Sequence, residues 1–357
     1  MNLFDQDEDR APEGVPLPSI PRLGDSVKGA GAPHERSEAD GCAETAFGRD
    51  VLAGLSMRPR AISPKWLYDA AGSALFEEIT RLDAYYPTRT ERAILEAHGD
   101  AMVEAIGQNA VLVEYGSGSS EKTRVLLDAL HAHRTLAAYV PIDISESMLR
   151  ATAEALRERY DGLPILPLAA DYTRPYRLPD LPPEADRVVV FFPGSTVGNF
   201  EPDEALAFLQ HVADVIGDDG ALLIGVDQWK DQDVLQHAYD DPEGVTAEFN
   251  LNLLRRVNRE LGGDADLDAW AHRAVVDADR HRVEMHLVSL RDQTLTVCGR
   301  SFAFTEGETI HTESSHKYDA DSFAALAARA GLVRQRRWTD AQGWFAESLY
   351  VRRVSGA

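Results

Sequence analysis

Cysteine is nearly missing: Cys42 and Cys298 are the whole complement of a 357-residue chain. No short spacing joins them, so neither a disulfide framework nor a zinc–cysteine site is expected, which suits a reducing cytoplasm. Basic residues are scarce as well. Lys and Arg number 36 against 59 Asp and Glu, a formal net charge of −23. Nucleic acid and anionic membrane surfaces call for a basic face, so neither is expected as a partner; the acidity serves solubility. No apolar run is long enough to span a bilayer, and the N-terminus lacks the charged-then-apolar pattern of a signal peptide. A cytoplasmic monomer is the expectation. There is no G-x-S-x-G elbow, and Ser195 stands in a Gly-Ser-Thr turn without an evident His/Asp order, which leaves hydrolase chemistry little support. His281, His286, His311 and His316 form no H-x-x-x-H pair and no cysteine joins them, so no metal site is expected.

What the chain does have is a glycine turn. Val111 to Glu114 reads as a buried strand, Gly116 and Gly118 as a turn too tight for a Cβ, and Lys122 onward as a helix. Strand, glycine turn, helix brings backbone close to a nucleotide-like ligand at a helix N-terminus. Gly116 to Thr123 falls one residue short of a P-loop, because Glu121 stands where that motif has its second Gly and would face phosphate oxygens. Glu114-Tyr-Gly-Ser-Gly fits instead the acidic-x-Gly-x-Gly form over which the adenosine of S-adenosylmethionine (SAM) sits. A dinucleotide or phosphate ligand, or a plain turn with no ligand, stays open at this point.

Around that turn, strands and helices alternate. Tyr139 to Ser145 reads as a strand ending in Asp143, where an acid accepts both ribose hydroxyl protons in nucleotide-binding sheets; Ser145 then caps a helix to about Tyr160. Ile165 to Ala170 reads as a third strand ending at Asp171-Tyr172. Asp171 is placed to receive an adenine amino group with Tyr172 against the ring, or else is an ordinary turn residue. Arg187 to Phe192 is continuously apolar, as a buried parallel strand should be, and leads to Asn199 near the cleft. A helix over Glu204–Ile216 and a strand over Ala221–Asp227 complete the pattern of a doubly wound parallel α/β sheet.

At Lys230 the pattern changes. Helices over Val234–Asp240 and Val245–Leu261 precede extended segments at His281–Leu290, Gln293–Val297 and Glu308–Tyr318, read as an antiparallel meander inserted into the first domain. A helix over Asp321–Ala330 and a strand over Phe345–Arg352, returning to the parallel sheet, follow. Residues 1–46, rich in Pro, Gly and acids, read as a disordered acidic tail. Pro87 breaks the helical pattern and leaves Tyr85 and Tyr86 in a loop, where a tyrosine pair is harder to bury. Within Thr312-Glu-Ser-Ser, Glu313 and Ser315 point to one face of a strand. They offer an acceptor and a hydroxyl suited to a flat ring with two nitrogens, with Met285 beside it; a solvated face with Met285 in the core is the plainer reading.

Taken together these residues resemble the histidine-specific SAM-dependent methyltransferases, the L-histidine Nα-methyltransferase family that opens ergothioneine biosynthesis. The matching stretches are Lys65-Trp-Leu-Tyr-Asp-Ala-Ala-Gly-Ser, Tyr85-Tyr-Pro-Thr-Arg-Thr-Glu, Gly116-Ser-Gly-Ser-Ser-Glu-Lys-Thr, Gly194-Ser-Thr-Val-Gly-Asn, Ala238-Tyr-Asp-Asp, Gly244-Val-Thr-Ala-Glu-Phe-Asn, Val283-Glu-Met and Thr312-Glu-Ser-Ser-His-Lys. They run in order from about Arg58 to Arg352. The resemblance implies a Rossmann-type SAM-dependent methyltransferase domain (90–229 and 318–357) with an inserted α+β substrate-binding domain (47–89 and 230–317).

It also implies three methyl transfers from SAM to the α-amino nitrogen of L-histidine, giving hercynine. Gly116, Lys122, Asp143, Asp171 and Tyr172 would bind SAM, with Lys122 near its carboxylate end. Tyr85, Asn199 and Tyr239 would hold the amino acid, the last two at its carboxylate. Glu313 and Ser315 would grip the imidazole nitrogens, Met285 would lie beside the ring, and Tyr68 near the amine. The chain departs from the family in its long acidic tail and in Tyr115, where a smaller aliphatic is usual. Relatives acting on tryptophan-like substrates differ where Met285 and Glu313 stand here. Methylation of another aromatic amino acid or related amine, and a SAM-binding regulator without turnover, remain as alternatives.

Overall fold

A computed structural model describes residues 38–117 and 121–353. In chain order the helices are α1 (Glu38–Ala43), α2 (Ala46–Ser56), α3 (Ala70–Ile79), α4 (Tyr86–Ile106), α5 (Glu121–Ala132), α6 (Glu146–Arg159), α7 (Pro202–Ile216), α8 (Gln232–Tyr239), α9 (Val245–Leu261) and α10 (Ala320–Arg329). The strands are β1 (Arg60–Ala61), β2 (Ala110–Tyr115), β3 (Leu136–Asp143), β4 (Leu168–Ala169), β5 (Arg187–Phe192), β6 (Ala221–Asp227), β7 (Trp270–Asp277), β8 (Arg282–Ser289), β9 (Gln293–Val297), β10 (Arg300–Phe304), β11 (Thr309–His316), β12 (Leu332–Thr339) and β13 (Phe345–Arg352).

Among the described residues one sheet has seven strands in the order β12-β13-β6-β5-β2-β3-β4. The strands from β6 to β4 run parallel. The chain leaves β2 toward β3 and β4, then returns to β5 on the other side, so the sheet reverses its winding between β2 and β5. Ligands of such sheets sit in the crevice at the carboxyl ends of those two strands. Alternate residues of β2 feed two cores: Val111, Val113 and Tyr115 join one cluster and Ala110 and Leu112 the other, as the two-residue period of a strand requires. A third cluster is built from residues 47–86 and 235–310. It surrounds a four-stranded sheet ordered β1-β11-β8-β7, in which β11 pairs antiparallel with β8 and parallel with β1.

Several local expectations need correcting. Pro87 does not break a helix but starts one: it lies in the first turn of α4, where its missing N–H costs nothing. Tyr85 is therefore a helix cap, and Tyr86 is buried at 1% exposure. The third strand shrinks to Leu168–Ala169 plus an isolated bridge from Ile165 to Tyr139, because Pro164 and Pro167 withdraw ladder donors. The last strand rejoins the large sheet, but antiparallel, between β6 and β12. Strand β12 escaped the sequence reading because Arg334-Gln-Arg-Arg masks its alternation, and β7 and β10 were not foreseen either.

The cysteines pair after all. Cys42, near the end of α1, is disulfide-bonded to Cys298 in the β9–β10 turn, with Cα atoms 5.7 Å apart across a sequence separation of 256. Chain spacing did not foretell spatial spacing. Within the segment assigned to the tail, Glu38–Ala43 is thus helical and covalently tied through Cys42, while residues 1–37 lie outside the described residues. No helix among the described residues is long and apolar enough to cross a membrane. Replacing Cys42 by Ser is expected to lower the unfolding free energy by roughly 2–4 kcal/mol. The check is thermal melting: the variant should melt below the native protein under oxidising conditions and match it in reductant.

Candidate active site

The site grows from the end of β2. Glu114 is buried there, and its two carboxylate oxygens accept the hydroxyls of Thr123 on α5 and Tyr139 on β3. The strand end is thereby fixed to the elements on either side. Gly116 follows with φ of +68°, a left-handed conformation that favours glycine, and its N–H donates to Ile142 O at 2.9 Å. A Cβ on Gly116 would stand 3.8 Å from the Tyr172 ring. Tyr172 in turn stacks on Tyr115, with ring centroids 5.1 Å apart and planes 5° from parallel. Tyr115, the departure from the family pattern, thus orients the aromatic residue that covers the glycine turn; its own hydroxyl is 2.6 Å from that of Tyr176.

Asp143 ends β3 half-buried and accepts the Ser145 N–H at 2.9 Å. Asp171 is exposed and engaged with its own turn, accepting the Thr173 N–H at 3.0 Å and hydroxyl at 2.5 Å, with Arg174 at 3.4 Å. Residues 118–120 and the Lys122 side chain lie outside the described residues. A left-handed turn without a Cβ, an aromatic ring over it, and carboxylates ending the next two strands suit an adenosine with a ribose diol and a nearby positive charge. The residues fit SAM.

Facing this turn is the second sheet. A short 3-10 turn, Thr196–Asn199, follows β5. Ser195 enters it with φ of +56°, and its hydroxyl accepts the Asp227 N–H at 2.9 Å, while Gly194 N donates to Glu91 at 2.5 Å. Gly198 lets this turn press against β11: a Cβ there would meet His316 O at 2.7 Å. Asn199 is thereby brought to Glu313, its amide Nδ2 lying 3.5 Å from Oε2. Glu313 and Ser315 share one face of β11 and are 6% and 4% exposed. Met285 is the direct cross-strand partner of Glu313, after a register shift between His311 and Glu313, so the two lie on the same sheet face.

Tyr239, the last residue of α8, donates its hydroxyl to Ser315 Oγ at 2.8 Å. Lys317 Nζ donates to both, at 2.7 Å to Tyr239 and 2.9 Å to Ser315, and pairs with Asp227 at 2.7 Å. Lys230 reaches the same aspartate at 2.5 Å, and the Tyr86 hydroxyl donates to it. An aromatic wall completes the enclosure. The rings of Tyr68 and Phe249 are 5.3 Å apart, Tyr68 and Phe76 5.4 Å, and Tyr85 and Tyr239 6.2 Å.

Electrostatics link the two halves. Desolvation holds the Tyr68 phenol well above its usual range, and the charges it feels are those of Glu313, Tyr85, Tyr239 and Tyr172. Tyr68 is nonetheless 39% exposed. Burial likewise raises Tyr85 and Tyr239, so these phenols are hydrogen-bond donors at neutral pH, not bases. Burial pushes the Glu313 carboxyl up to about 7, with Lys317 drawing it back. Burial brings Lys230 down to about 8 against the pull of Asp227. Asp227 is pushed up by burial, but Lys317 and Lys230 outweigh that and hold it below the usual carboxylate range.

The structure therefore gathers Tyr68, Tyr85, Asn199, Tyr239, Met285, Glu313 and Ser315 on one side and Gly116, Asp143 and Tyr172 on the other. Asp227, Lys230 and Lys317 were missed. The signals were available: Asp227 ends a central strand, where cleft residues sit, and Lys317 is two residues beyond Ser315 on the same strand direction.

A family model described as histidine-specific methyltransferase, SAM-dependent, matches residues 47–352. The histidine N-alpha-methyltransferase of Mycolicibacterium smegmatis is 43% identical over 316 residues, spanning 88% of this chain and 97% of its own. That of Mycobacterium tuberculosis is 43% identical over 306 residues, spanning 85% and 94%. Ergothioneine biosynthesis protein 1 of Neurospora crassa is 32% identical over 285 residues, spanning 79% of this chain and 32% of its own length.

The Glu313 value carries a stability consequence. The folded protein holds this proton more tightly than the unfolded chain, so stability falls as pH rises from the ordinary 4.5 through about 7. At 1.36 kcal/mol per unit the full loss is roughly 3 kcal/mol. Glu313→Gln is expected to match the native protein near the acid end of that window and to exceed it by up to that amount at pH 8, read from denaturant melts across pH.

Proposed function

The chain belongs to the histidine-specific, SAM-dependent methyltransferase family, and from that premise we propose that it trimethylates the α-amino nitrogen of L-histidine to hercynine, the step that opens ergothioneine biosynthesis. The observation that carries this reading is the buried pair Glu313 and Ser315 on one strand face, with Asn199 and Tyr239 beside it and Tyr68 in electrostatic reach of both Glu313 and Tyr172. A carboxylate and a hydroxyl at this spacing suit the two nitrogens of an imidazole, and Met285 opposite Glu313 offers a soft apolar contact.

SAM, when bound, supplies a methyl group already activated by its sulfonium. The chain's own residues have three tasks. Gly116, Asp143 and Tyr172 hold the adenosine end, with Asp171 and Lys122 as further contacts in this reading. Glu313, Ser315 and Met285 fix the ring, while Asn199 donates to the carboxylate and Tyr239, whose own proton is held by Ser315, lines that end of the cleft, so the amine is left pointing at Tyr68 and Tyr85. Positioning of the nitrogen in line with the methyl is the main catalytic contribution. The hydroxyls and ring faces of the tyrosine walls accommodate an amine that becomes cationic with each transfer. Each ammonium must lose a proton to water before the next transfer, and the third has none to lose, which ends the sequence.

Incubation of the purified protein with L-histidine and SAM is expected to give hercynine by mass spectrometry. Inertness toward histidine with turnover of another amine would overturn the proposal. Glu313→Ala is expected to raise the histidine KM roughly 10- to 100-fold, the loss of a hydrogen bond to a charged group, with SAM affinity unchanged by titration calorimetry. An equal loss of both would refute the assigned role.

A further inference from the structure

The hydroxyl assigned to the substrate ring is already part of a closed set of contacts. Lys317 Nζ donates to Ser315 Oγ at 2.9 Å, to the Tyr239 hydroxyl at 2.7 Å and to Asp227 Oδ2 at 2.7 Å. An ammonium has three protons and no lone pair, so all three contacts run one way and all three protons are used. Tyr239, accepting from Lys317, donates its own proton to Ser315 at 2.8 Å. A serine oxygen has two lone pairs and one proton. Lys317 and Tyr239 take both lone pairs, and the proton is what remains for a ligand.

We propose that Lys317 is a positioning residue that makes Ser315 an obligate hydrogen-bond donor, so that the cleft accepts the ring as neutral imidazole, its lone-pair nitrogen on Ser315 and its N–H on Glu313. The inference rests on histidine as the substrate. A doubly protonated ring has an N–H on both sides, and one of them would meet a serine oxygen with no lone pair left, a buried donor without an acceptor. Behind Lys317 stand Asp227, Lys230 and Tyr86; in front stand Tyr85, Tyr239 and Glu313. His316, next along the chain, turns instead to Glu201 at 3.7 Å. Asp227 keeps Lys230 and Tyr86 if Lys317 is removed, so the variant retains a partnered aspartate.

The first test uses the native protein: L-histidine labelled with 15N in the ring, bound with S-adenosylhomocysteine. The nitrogen spectrum is expected to show one protonated and one unprotonated ring nitrogen, and to keep that pattern below the ring's ordinary pKa of about 6.5. Two protonated nitrogens in the bound ring would overturn the inference. No binding of histidine to the native protein would overturn the substrate reading, and the inference with it.

The second test is a double-mutant cycle of Lys317→Met and Ser315→Ala, read as histidine affinity. Each single variant is expected to lose about tenfold, with S-adenosylhomocysteine affinity unmoved. The double variant is expected to lose no more than Lys317→Met alone, because the lysine acts through the serine. Losses that multiply to roughly a hundredfold, or a fall in cofactor affinity with Lys317→Met, would mean an independent or merely structural role.

Discussion

The structure depends on one buried carboxylate. Asp227 ends β6 with no exposed surface, and both its oxygens are taken, by Lys230, Lys317 and the Tyr86 hydroxyl. An ion in that position costs several kcal/mol of lost hydration unless it is matched on every side. The partners come from different places: Lys317 follows β11 of the small sheet, Lys230 follows β6 itself, and Tyr86 opens α4. The backbone repeats the join, with Tyr318 N donating to Asp227 O at 3.0 Å and Ser195 receiving the Asp227 N–H. A buried ion matched by donors from three elements joins the two sheets.

That arrangement gives two acids opposite characters. Asp227 is surrounded by donors and stays ionised. Glu313 is as deeply enclosed, yet among the described residues its hydrogen bond is a single long one, from Asn199 at 3.5 Å. Its carboxyl sits near neutrality because the surrounding protein does not satisfy it. A buried polar group short of partners is an incomplete structure in stability terms and a binding site in functional terms. The aromatic wall of Tyr68, Tyr85, Phe76 and Phe249 adds rigid apolar surface whose polar tips face the same space.

Much of this was legible in the chain because it rests on local chemistry. The strands at Arg187–Phe192 and Ala221–Asp227 declared themselves by unbroken apolar runs, as strands buried on both faces do. The glycine turn was visible because few residues besides glycine take its backbone conformation. Glu313 and Ser315 were paired by the two-residue period of a strand. What was hidden depends on contacts far apart in sequence. Nothing near Lys317 tells that Asp227, ninety residues earlier, will meet it, and nothing near Cys42 tells of Cys298. Pro87 was read by its commonest effect, as a breaker, when its position after Tyr86 allows the other. Strand β12 was obscured by arginines, two of which, Arg334 and Arg337, turn their guanidinium groups to Ala320 O and Gln228 Oε1.

The pairing of β1 with β11 bears on how the chain assembles during synthesis. Arg60 and Ala61 lie beside Ile310 and His311, and β13, later in the chain than either of its neighbours, separates β6 from β12. Neither sheet is whole until β11 and β13 have been made. The segment holding α2 and α3 packs into the same core as residues 235–310, so its apolar surface must wait uncovered until that later region is made. Long-range pairing of this kind slows folding and lengthens exposure to aggregation.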